Sequence, residues 1–256
     1  LLVPHTQDGR VLFAVPWQGK VLLGTTDTPK AQVEWEPQAL ESEIEQILQE
    51  AAKYLVKVPQ RSDVTSVWAG LRPLARTAQT SQDQGATQSV SREHTVKVAT
   101  NGLVSVMGGK WTTYRAMAAD VMQAIRQAQL LSLTSDDVTA QTKLWGAPSA
   151  DAYSGLASEQ GQYSRYGSEA ELLATLPGAQ HWLAPHLSEA MVRFAARFEY
   201  ARTVEDVLAR RNRLLFLDAT AALAVAPQVA EILSSETGVT PQLAAFEALA
   251  KSYQMP

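Results

Sequence analysis

The sequence predicts two parts of different fold class: an α/β or α+β part over residues 1–130 and an all-helical part over residues 131–256. Runs rich in β-branched and aromatic residues, which are typical of strands, stop near residue 130. Helical hydrophobic spacing continues beyond it. The first part carries 13 basic and 12 acidic residues and the second 9 and 14, so only the second is clearly acidic.

Composition excludes several classes of function. The chain has 256 residues, of which 46% are hydrophobic and 19% charged, as in soluble globular proteins. Its net charge of −4 argues against nucleic-acid binding, which needs a basic face. The absence of cysteine excludes disulfides and thiolate chemistry, and the histidines lack metal-ligand spacing, so no metal site is expected. The longest apolar stretch, 214–226, contains Asp218 and is too short to span a bilayer.

Two pairs of β-rich runs are each joined by a short turn that contains glycine. Such spacing predicts antiparallel hairpins. The runs and their turns are 11–17 and 20–26 around Gln18-Gly19, and 95–99 and 103–107 around Asn101-Gly102.

The remaining elements of the first part follow from spacing and from proline. Residues 39–56 repeat apolar side chains at helical spacing between two prolines and predict an amphipathic helix. Residues 64–71 predict a strand that ends before Pro73, and residues 76–89 predict an exposed polar loop. A further helix is expected over about 112–129. In the second part, after a linker, helices are expected over about 168–176, 188–200, 203–224, 226–237 and 240–253.

Residues 108–113, Gly-Gly-Lys-Trp-Thr-Thr, are the most informative local feature. A strand ends there, two glycines let the backbone pass close to a neighbour, and a helix begins on threonine. Helix amides and the positive end of the helix dipole suit an anion, and Lys110 adds a charge. The alternative is an ordinary glycine turn with a threonine cap and a solvated lysine. A nucleotide-binding P-loop is excluded, since Val104 replaces its first glycine and Trp111 follows the lysine.

Arg72 lies at the end of the strand predicted over 64–71. An arginine among apolar neighbours needs an anionic partner, and the residues alone favour an ordinary salt bridge there. Arg92 stands beside Glu93, which can neutralise a neighbour. His94 fits a structural role best, and Asp27 fits a turn.

Several segments in a fixed order resemble one family, the FAD-dependent, quinone-linked glycerol-3-phosphate dehydrogenases of respiratory chains. Any one of these motifs is weak, but the ordered set covers nearly the whole chain. The segments are residues 8–17, 23–28, 68–74, 91–94, 108–115, 201–211 and 215–218.

The resemblance implies the C-terminal part of a glutathione-reductase-like FAD and substrate domain with a mixed sheet, followed by an all-helical C-terminal domain. It implies oxidation of sn-glycerol 3-phosphate to dihydroxyacetone phosphate, with a hydride passed to FAD and electrons passed to quinone. It also implies a peripheral protein on the inner, cytoplasmic face of the cytoplasmic membrane. A homodimer is left open.

The resemblance also assigns site residues. Arg72 becomes the catalytic residue near the reacting hydroxyl and binds substrate, while Arg92 and Lys110 become the ligands of its phosphate. The flavin-binding residues carried over are Gly108, Gly109, Lys110, Trp111, Thr112 and Thr113.

One departure from the family pattern is the dinucleotide fingerprint Gly-x-Gly-x-x-Gly, which is absent from the 256 residues. The chain is therefore expected to be a C-terminal fragment that is inactive and does not retain FAD tightly by itself. A substrate-site histidine and a flavin-proximal arginine are expected upstream.

Two alternatives belong to other classes. A related flavin oxidase would pass electrons to oxygen, and the sequence does not decide the acceptor. A non-catalytic helical interaction module would use the arginines of the second part, which alternate with acidic residues, although a salt-bridged helix face explains them better.

Overall fold

A computed structural model of the chain describes residues 1–3, 6, 11–72, 93–132, 135–147 and 163–255. The chain divides into two compact units. The first unit comprises Leu1–Thr26, Trp35–Gly70 and Gly146–Pro256, and the second comprises Asp27–Glu34 and Leu71–Trp145. The domain boundary between residues 130 and 131 stays a prediction.

The first unit begins with a three-stranded antiparallel sheet of β1 (Leu2–Val3), β2 (Leu12–Trp17) and β3 (Lys20–Gly24). The predicted first hairpin is confirmed, with Trp17 opposite Lys20. Its turn residues Gln18 and Gly19 both have positive φ, 49° and 79°, as a two-residue turn needs to match the strand twist.

Helix α1 (Glu41–Ala52) covers this sheet, which confirms the amphipathic helix within a few residues at either end. Ala51 packs against Val3 and Leu12, and the partly buried side chains of Leu23 and Ile47 surround this small core. Helical spacing therefore identified the face of α1 that lies on the sheet.

The strand predicted over residues 64–71 is wrong. The chain forms a single 3₁₀ turn at Arg61–Asp63 and then continues to Arg72 without a helix or a strand. Its hydrogen bonds go to the helical part instead: Thr65 Oγ1 donates to the Leu217 carbonyl at 2.6 Å, and Val67 N donates to the Tyr253 carbonyl at 2.8 Å. Strand-like composition therefore predicted a strand pairing that the described residues do not form.

The large core of the first unit lies among its C-terminal helices, and the expected helical fold class is confirmed. Large side chains of this core, such as Phe194, Leu233 and Phe246, are almost fully buried. The helices are α3 (Ala170–Thr175), α4 (Glu189–Phe198), α5 (Leu214–Leu217), α6 (Ala219–Thr237) and α7 (Leu243–Ser252).

The single helix predicted over 203–224 is wrong. The chain forms a π-helical turn at Asp206–Arg211, breaks at Asn212, and forms α5 and then α6. Asp218 starts α6, since its Oδ1 accepts a hydrogen bond from Ala221 N at 2.9 Å. Helix α6 then continues through Pro227, where the prediction placed a boundary between two helices.

A short antiparallel hairpin of β6 (Trp182–Ala184) and β7 (Leu187–Ser188) also lies in this part, which the helical pattern did not predict. His186 has a positive φ of 64° at its turn. Ser188 ends the hairpin and caps α4, because its hydroxyl accepts a hydrogen bond from Met191 N at 3.3 Å.

The second unit contains the other predicted hairpin, β4 (Thr95–Val98) and β5 (Val104–Met107), and helix α2 (Tyr114–Gln127). The hairpin is confirmed, with Gly102 at a φ of 85° in its turn. Helix α2 packs against both strands, yet no side chain is fully buried among the residues described for this unit.

No helix in the described ranges has the length and apolar character needed to cross a bilayer.

Candidate functional site

Arg72 and Asp27 form an ion pair within the second unit. Arg72 Nη1 donates to Asp27 Oδ2 at 2.8 Å, and 19% of the Asp27 side chain is exposed. Residues 26–28 and 71–72 are irregular backbone, so the pair joins two segments that share no strand contact among the described residues. The salt bridge that the sequence favoured for Arg72 is confirmed, whereas the substrate role of Arg72 stays a prediction.

The Gly-Gly-Lys turn links β5 to α2. Gly108 and Gly109 have φ values of 74° and 83°, which side chains rarely adopt, and Lys110 returns to extended backbone. A 3₁₀ turn at Trp111–Thr113 then leads into α2. The threonine cap is wrong, because the Thr113 hydroxyl donates to the Lys110 carbonyl at 3.0 Å and not toward the helix amides.

Gly109 packs closely on its own unit. A Cβ placed there would lie 2.5 Å from Met117 Sδ and 3.1 Å from His94 Cβ. The Met117 thioether ends a flexible side chain and can move, but the Cβ of His94 is fixed to its backbone. The close neighbours of this glycine therefore lie within its own unit, on the residue before β4 and on α2.

The outer side of the turn is exposed. Within the described part of the chain, the Lys110 ammonium has no hydrogen bond or ion pair. The side chain of Trp111 is 85% exposed and stacks on Tyr114 with ring centroids 5.4 Å apart. An uncompensated cation beside the start of a helix is an arrangement that binds anions.

His94 pairs with Asp120 across the same unit. His94 Nε2 lies 2.7 Å from Asp120 Oδ2, which joins the residue before β4 to the middle of α2. The imidazole is about four-fifths buried and the carboxylate about half exposed. The structural role that the sequence favoured for His94 agrees with this contact.

The predicted site residues do not all meet in the structure. Arg72 contacts Asp27, and the turn at Gly108–Lys110 contacts His94, while Arg92 lies outside the described residues. Sequence reasoning missed Asp120, because a single acidic residue on an exposed helix face has no distinguishing pattern. It interpreted Asp27 as a turn residue, since the partner is 45 positions away.

The residues present fit one edge of a flavin and not a whole dinucleotide. The turn supplies a cation and a helix start, which suit an electron-rich carbonyl edge, but the sequence lacks the glycine fingerprint that holds a pyrophosphate. In the described ranges no group of three or more metal-ligating side chains could hold a metal ion.

An antiparallel hairpin that leads through a glycine turn with an exposed lysine into a helix is compatible with a part of a flavin-dependent oxidoreductase. Two family models match the chain: FAD dependent oxidoreductase over residues 2–115, and C-terminal domain of alpha-glycerophosphate oxidase over residues 104–243. The chain therefore belongs to the FAD dependent oxidoreductases that carry the C-terminal domain of alpha-glycerophosphate oxidase. The resemblance stated from the motifs is confirmed.

Curated relatives agree with this family. A mitochondrial glycerol-3-phosphate dehydrogenase of Arabidopsis thaliana is 36% identical over 92% of this chain and 41% of its own length. The mitochondrial enzyme of Saccharomyces cerevisiae is 33% identical over 92% of this chain and 43% of its own, and the human one 36% identical over 92% and 34%. The chain thus spans less than half the length of these relatives.

A solved structure shows the same fold. The glycerol-3-phosphate dehydrogenase from Bacillus halodurans, complexed with FAD, matches 98% of this chain and 53% of its own, with a TM-score of 0.73 and 24% identity.

The expected location on the cytoplasmic face of the cytoplasmic membrane is wrong. The curated relatives from Arabidopsis thaliana, Caenorhabditis elegans and Saccharomyces cerevisiae are named as mitochondrial proteins. The resemblance of motifs identified the enzyme family, but location depends on targeting signals that those motifs do not contain.

Proposed function

We propose that this chain is the substrate-side portion of an FAD-dependent dehydrogenase that oxidises sn-glycerol 3-phosphate to dihydroxyacetone phosphate. The observation that carries the proposal is the exposed turn at Gly108–Lys110, which lies where the two family models overlap, at residues 104–115. The relatives named glycerol-3-phosphate dehydrogenase support the choice of substrate.

Lys110 is proposed to bind the phosphate of the substrate together with Arg92. A phosphate dianion needs several charge-assisted donors. The Lys110 ammonium is exposed and has no acidic partner among the described residues, so binding an anion there breaks no existing ion pair. The helix start beside it adds a partial positive charge.

Arg72 is proposed as the catalytic residue that holds the reacting hydroxyl. Asp27 fixes one guanidinium nitrogen at 2.8 Å and so restricts the orientation of the planar head group. A guanidinium in a fixed orientation donates to the C2 oxygen and stabilises the negative charge that grows on it as the hydroxyl proton is lost to a base, while the hydride leaves C2 for FAD.

The turn residues Gly108–Thr113 are proposed to contact the pyrimidine edge of FAD with backbone amides. FAD, when bound, accepts the hydride from C2 of the substrate. The contribution of this chain is to place cationic and N–H groups where negative charge develops. The pyrophosphate-binding fingerprint would come from another segment of the enzyme.

The test of the function uses the complete FAD-loaded enzyme that contains this chain. Mixing it anaerobically with glycerol 3-phosphate should bleach the oxidised flavin absorbance, and Lys110→Ala should raise the substrate concentration needed for half-bleaching at least tenfold, about the value of one charge-assisted contact. Bleaching by an amine or amino acid but not by glycerol 3-phosphate would contradict the substrate. Lys251→Ala, a lysine near the end of α7, is the matched control.

The 256-residue chain alone is proposed to be inactive. The described part of the second unit has no fully buried side chain, and relatives are more than twice as long as the matched region. Activity should return only when a flavin-binding segment is supplied in trans or by fusion. Dehydrogenase activity of the purified chain would contradict this proposal. Recovery of activity on reconstitution would show that the chain is a catalytic component and not a helical interaction module.

Quinone is proposed as the electron acceptor, which implies contact with a membrane surface because quinones dissolve in lipid. The family model named for alpha-glycerophosphate oxidase supports oxygen as the second candidate. Turnover in air with stoichiometric peroxide would favour oxygen, and turnover with a soluble quinone without peroxide would favour quinone. Whether the enzyme forms a homodimer is tested by light scattering, which measures its molar mass in solution.

A further inference from the structure

The pair of His94 and Asp120 lies beside the Gly-Gly-Lys turn, because His94 is a close neighbour of Gly109. His94 Nε2 is 2.7 Å from Asp120 Oδ2, and this contact joins the start of the hairpin to α2. The contact connects the residue before β4 to α2, while β5, the strand paired with β4, enters the turn and α2 leaves it.

Gly109 is the residue of the turn that lies against His94. The space that a Cβ at Gly109 would fill is limited by His94 Cβ, at 3.1 Å, and by Met117, which lies one helical turn before Asp120. Because the near atom is His94 Cβ, the turn depends on the backbone position of His94, and the bond from its ring to Asp120 holds that position against α2.

A hydrogen-bonded imidazole suits this task better than an apolar side chain. His94 is about four-fifths buried, so its ring already packs against its unit, and the bond to Asp120 restricts the remaining rotation about χ1 and χ2. The half-exposed Asp120 carboxylate fixes the ring from the solvent side.

We propose that His94, held by Asp120, is a positioning residue that keeps the turn at Gly108–Lys110 in the conformation in which Lys110 binds an anionic substrate group. This inference rests on the proposed function of Lys110. His94 touches neither substrate nor cofactor in this proposal and acts only through the turn.

The test compares, in the FAD-loaded enzyme, substitutions of His94 by side chains of different length. His94→Gln places an amide nitrogen near the position of Nε2 and should retain the bond to Asp120, whereas His94→Asn is too short and should lose it. We expect His94→Asn and Asp120→Ala, which removes the acceptor, to raise the KM for glycerol 3-phosphate about tenfold and to leave kcat within about twofold. His94→Gln should remain close to the parent enzyme.

A double-mutant cycle with Lys110→Ala distinguishes positioning from general stability. If His94 acts through Lys110, then His94→Asn should raise KM little further once Lys110 is absent. Equal effects in both backgrounds would overturn the proposal. His181→Gln is the matched control, because His181 Nδ1 pairs with Glu189 Oε1 at 2.8 Å in the first unit, whereas the turn belongs to the second.

Amide hydrogen exchange of peptides that cover residues 108–113 gives a readout that does not depend on substrate. Exchange should accelerate in His94→Asn and Asp120→Ala but not in His94→Gln or His181→Gln. Unchanged exchange would overturn the positioning role even if activity fell. Faster exchange in an enzyme that does not act on glycerol 3-phosphate would support the positioning role and contradict the proposed function alone.

Discussion

Arg72 and Asp27, which are 45 positions apart in the chain, meet at 2.8 Å between Nη1 and Oδ2. Both residues lie on irregular backbone, so this ion pair, and not a strand ladder, fixes the position of the guanidinium. A guanidinium has five N–H donors, and the contact with Asp27 uses one of them. The pair is therefore the ordinary salt bridge that the sequence favours for Arg72, and it also restricts the orientation of the guanidinium.

Arg72→Lys should lower kcat for glycerol 3-phosphate oxidation by roughly 10- to 100-fold in the FAD-loaded enzyme, because an ammonium lacks the planar fork. Asp27→Asn should lower kcat by a smaller factor, since the guanidinium remains but loses its fixed orientation. Steady-state kinetics measures both. Arg61→Lys, at an exposed arginine paired with Glu41, is the control, and a loss as large there would contradict a specific role for Arg72.

Gly109→Ala should destabilise the protein more than Gly102→Ala. The two glycines have nearly equal φ values, 83° and 85°, so both alanine variants cost about 1–2 kcal/mol of backbone strain. At Gly102 the new Cβ would lie 3.6 Å from Leu130, an ordinary contact, whereas at Gly109 it would crowd His94 at 3.1 Å. We expect a further cost of about 1 kcal/mol at Gly109.

Urea unfolding measures this difference directly. Equal destabilisation of the two variants would show that the turn can shift away from His94 without cost.

Glu236→Gln should lower the melting temperature at neutral pH. Glu236 accepts hydrogen bonds from Arg197 Nε and Arg193 Nη1, both at 2.6 Å, and its side chain is only 10% exposed. Removing the charge leaves two arginines without their shared partner, and Arg193 Nε is already a buried nitrogen without one among the described residues. We expect a loss of several degrees, measured by calorimetry. Glu231→Gln, at an exposed glutamate of the same helix, should have little effect.

The Glu236 contribution should also depend on pH. The hydrogen bond from Arg197, followed by that from Arg193, lowers the pKa of Glu236 below its ordinary value of 4.5. A lowered carboxyl pKa stabilises the folded protein above the unfolded pKa, and this stabilisation is lost as the pH falls through the folded pKa. The difference in melting temperature between the parent protein and Glu236→Gln should thus be constant near pH 7 and shrink below about pH 4.5. A difference that grows on acidification would contradict the assignment.

Asp218 has two contacts that substitution can separate. Its Oδ1 caps α6 at Ala221 N, and its Oδ2 accepts from Lys20 Nζ at 3.2 Å. Asp218→Asn keeps a capping oxygen but loses the ion pair, and should cost less than about 1 kcal/mol. Asp218→Ala loses both and should cost about 1–2 kcal/mol in urea unfolding. Equal costs for the two variants would mean that the ion pair and not the cap stabilises this junction.

Turn residues and hydrophobic spacing correctly predicted the elements that depend only on residues close together in the chain. The turns at Gln18-Gly19 and Asn101-Gly102 need positive φ values, and the amphipathic spacing of α1 needs only an apolar surface to cover, so both hairpins and this helix follow from the residues themselves. The ordered motifs similarly identified the family, since their residue types and order are written in the chain.

Only the tertiary structure decided which residues meet. Residues 64–71 have the composition of a strand. Their hydrogen-bond partners are the ends of distant helices, such as the carbonyl of Leu217, and not a strand. The partnerships of Arg72 with Asp27 and of His94 with Asp120 depend on contacts across 45 and 26 positions. Hydrophobic periodicity and turn chemistry act over a few residues, whereas ion pairs form wherever the completed fold brings opposite charges together. The sequence by itself therefore determined the elements and the family, and the tertiary structure determined the contacts around the candidate site.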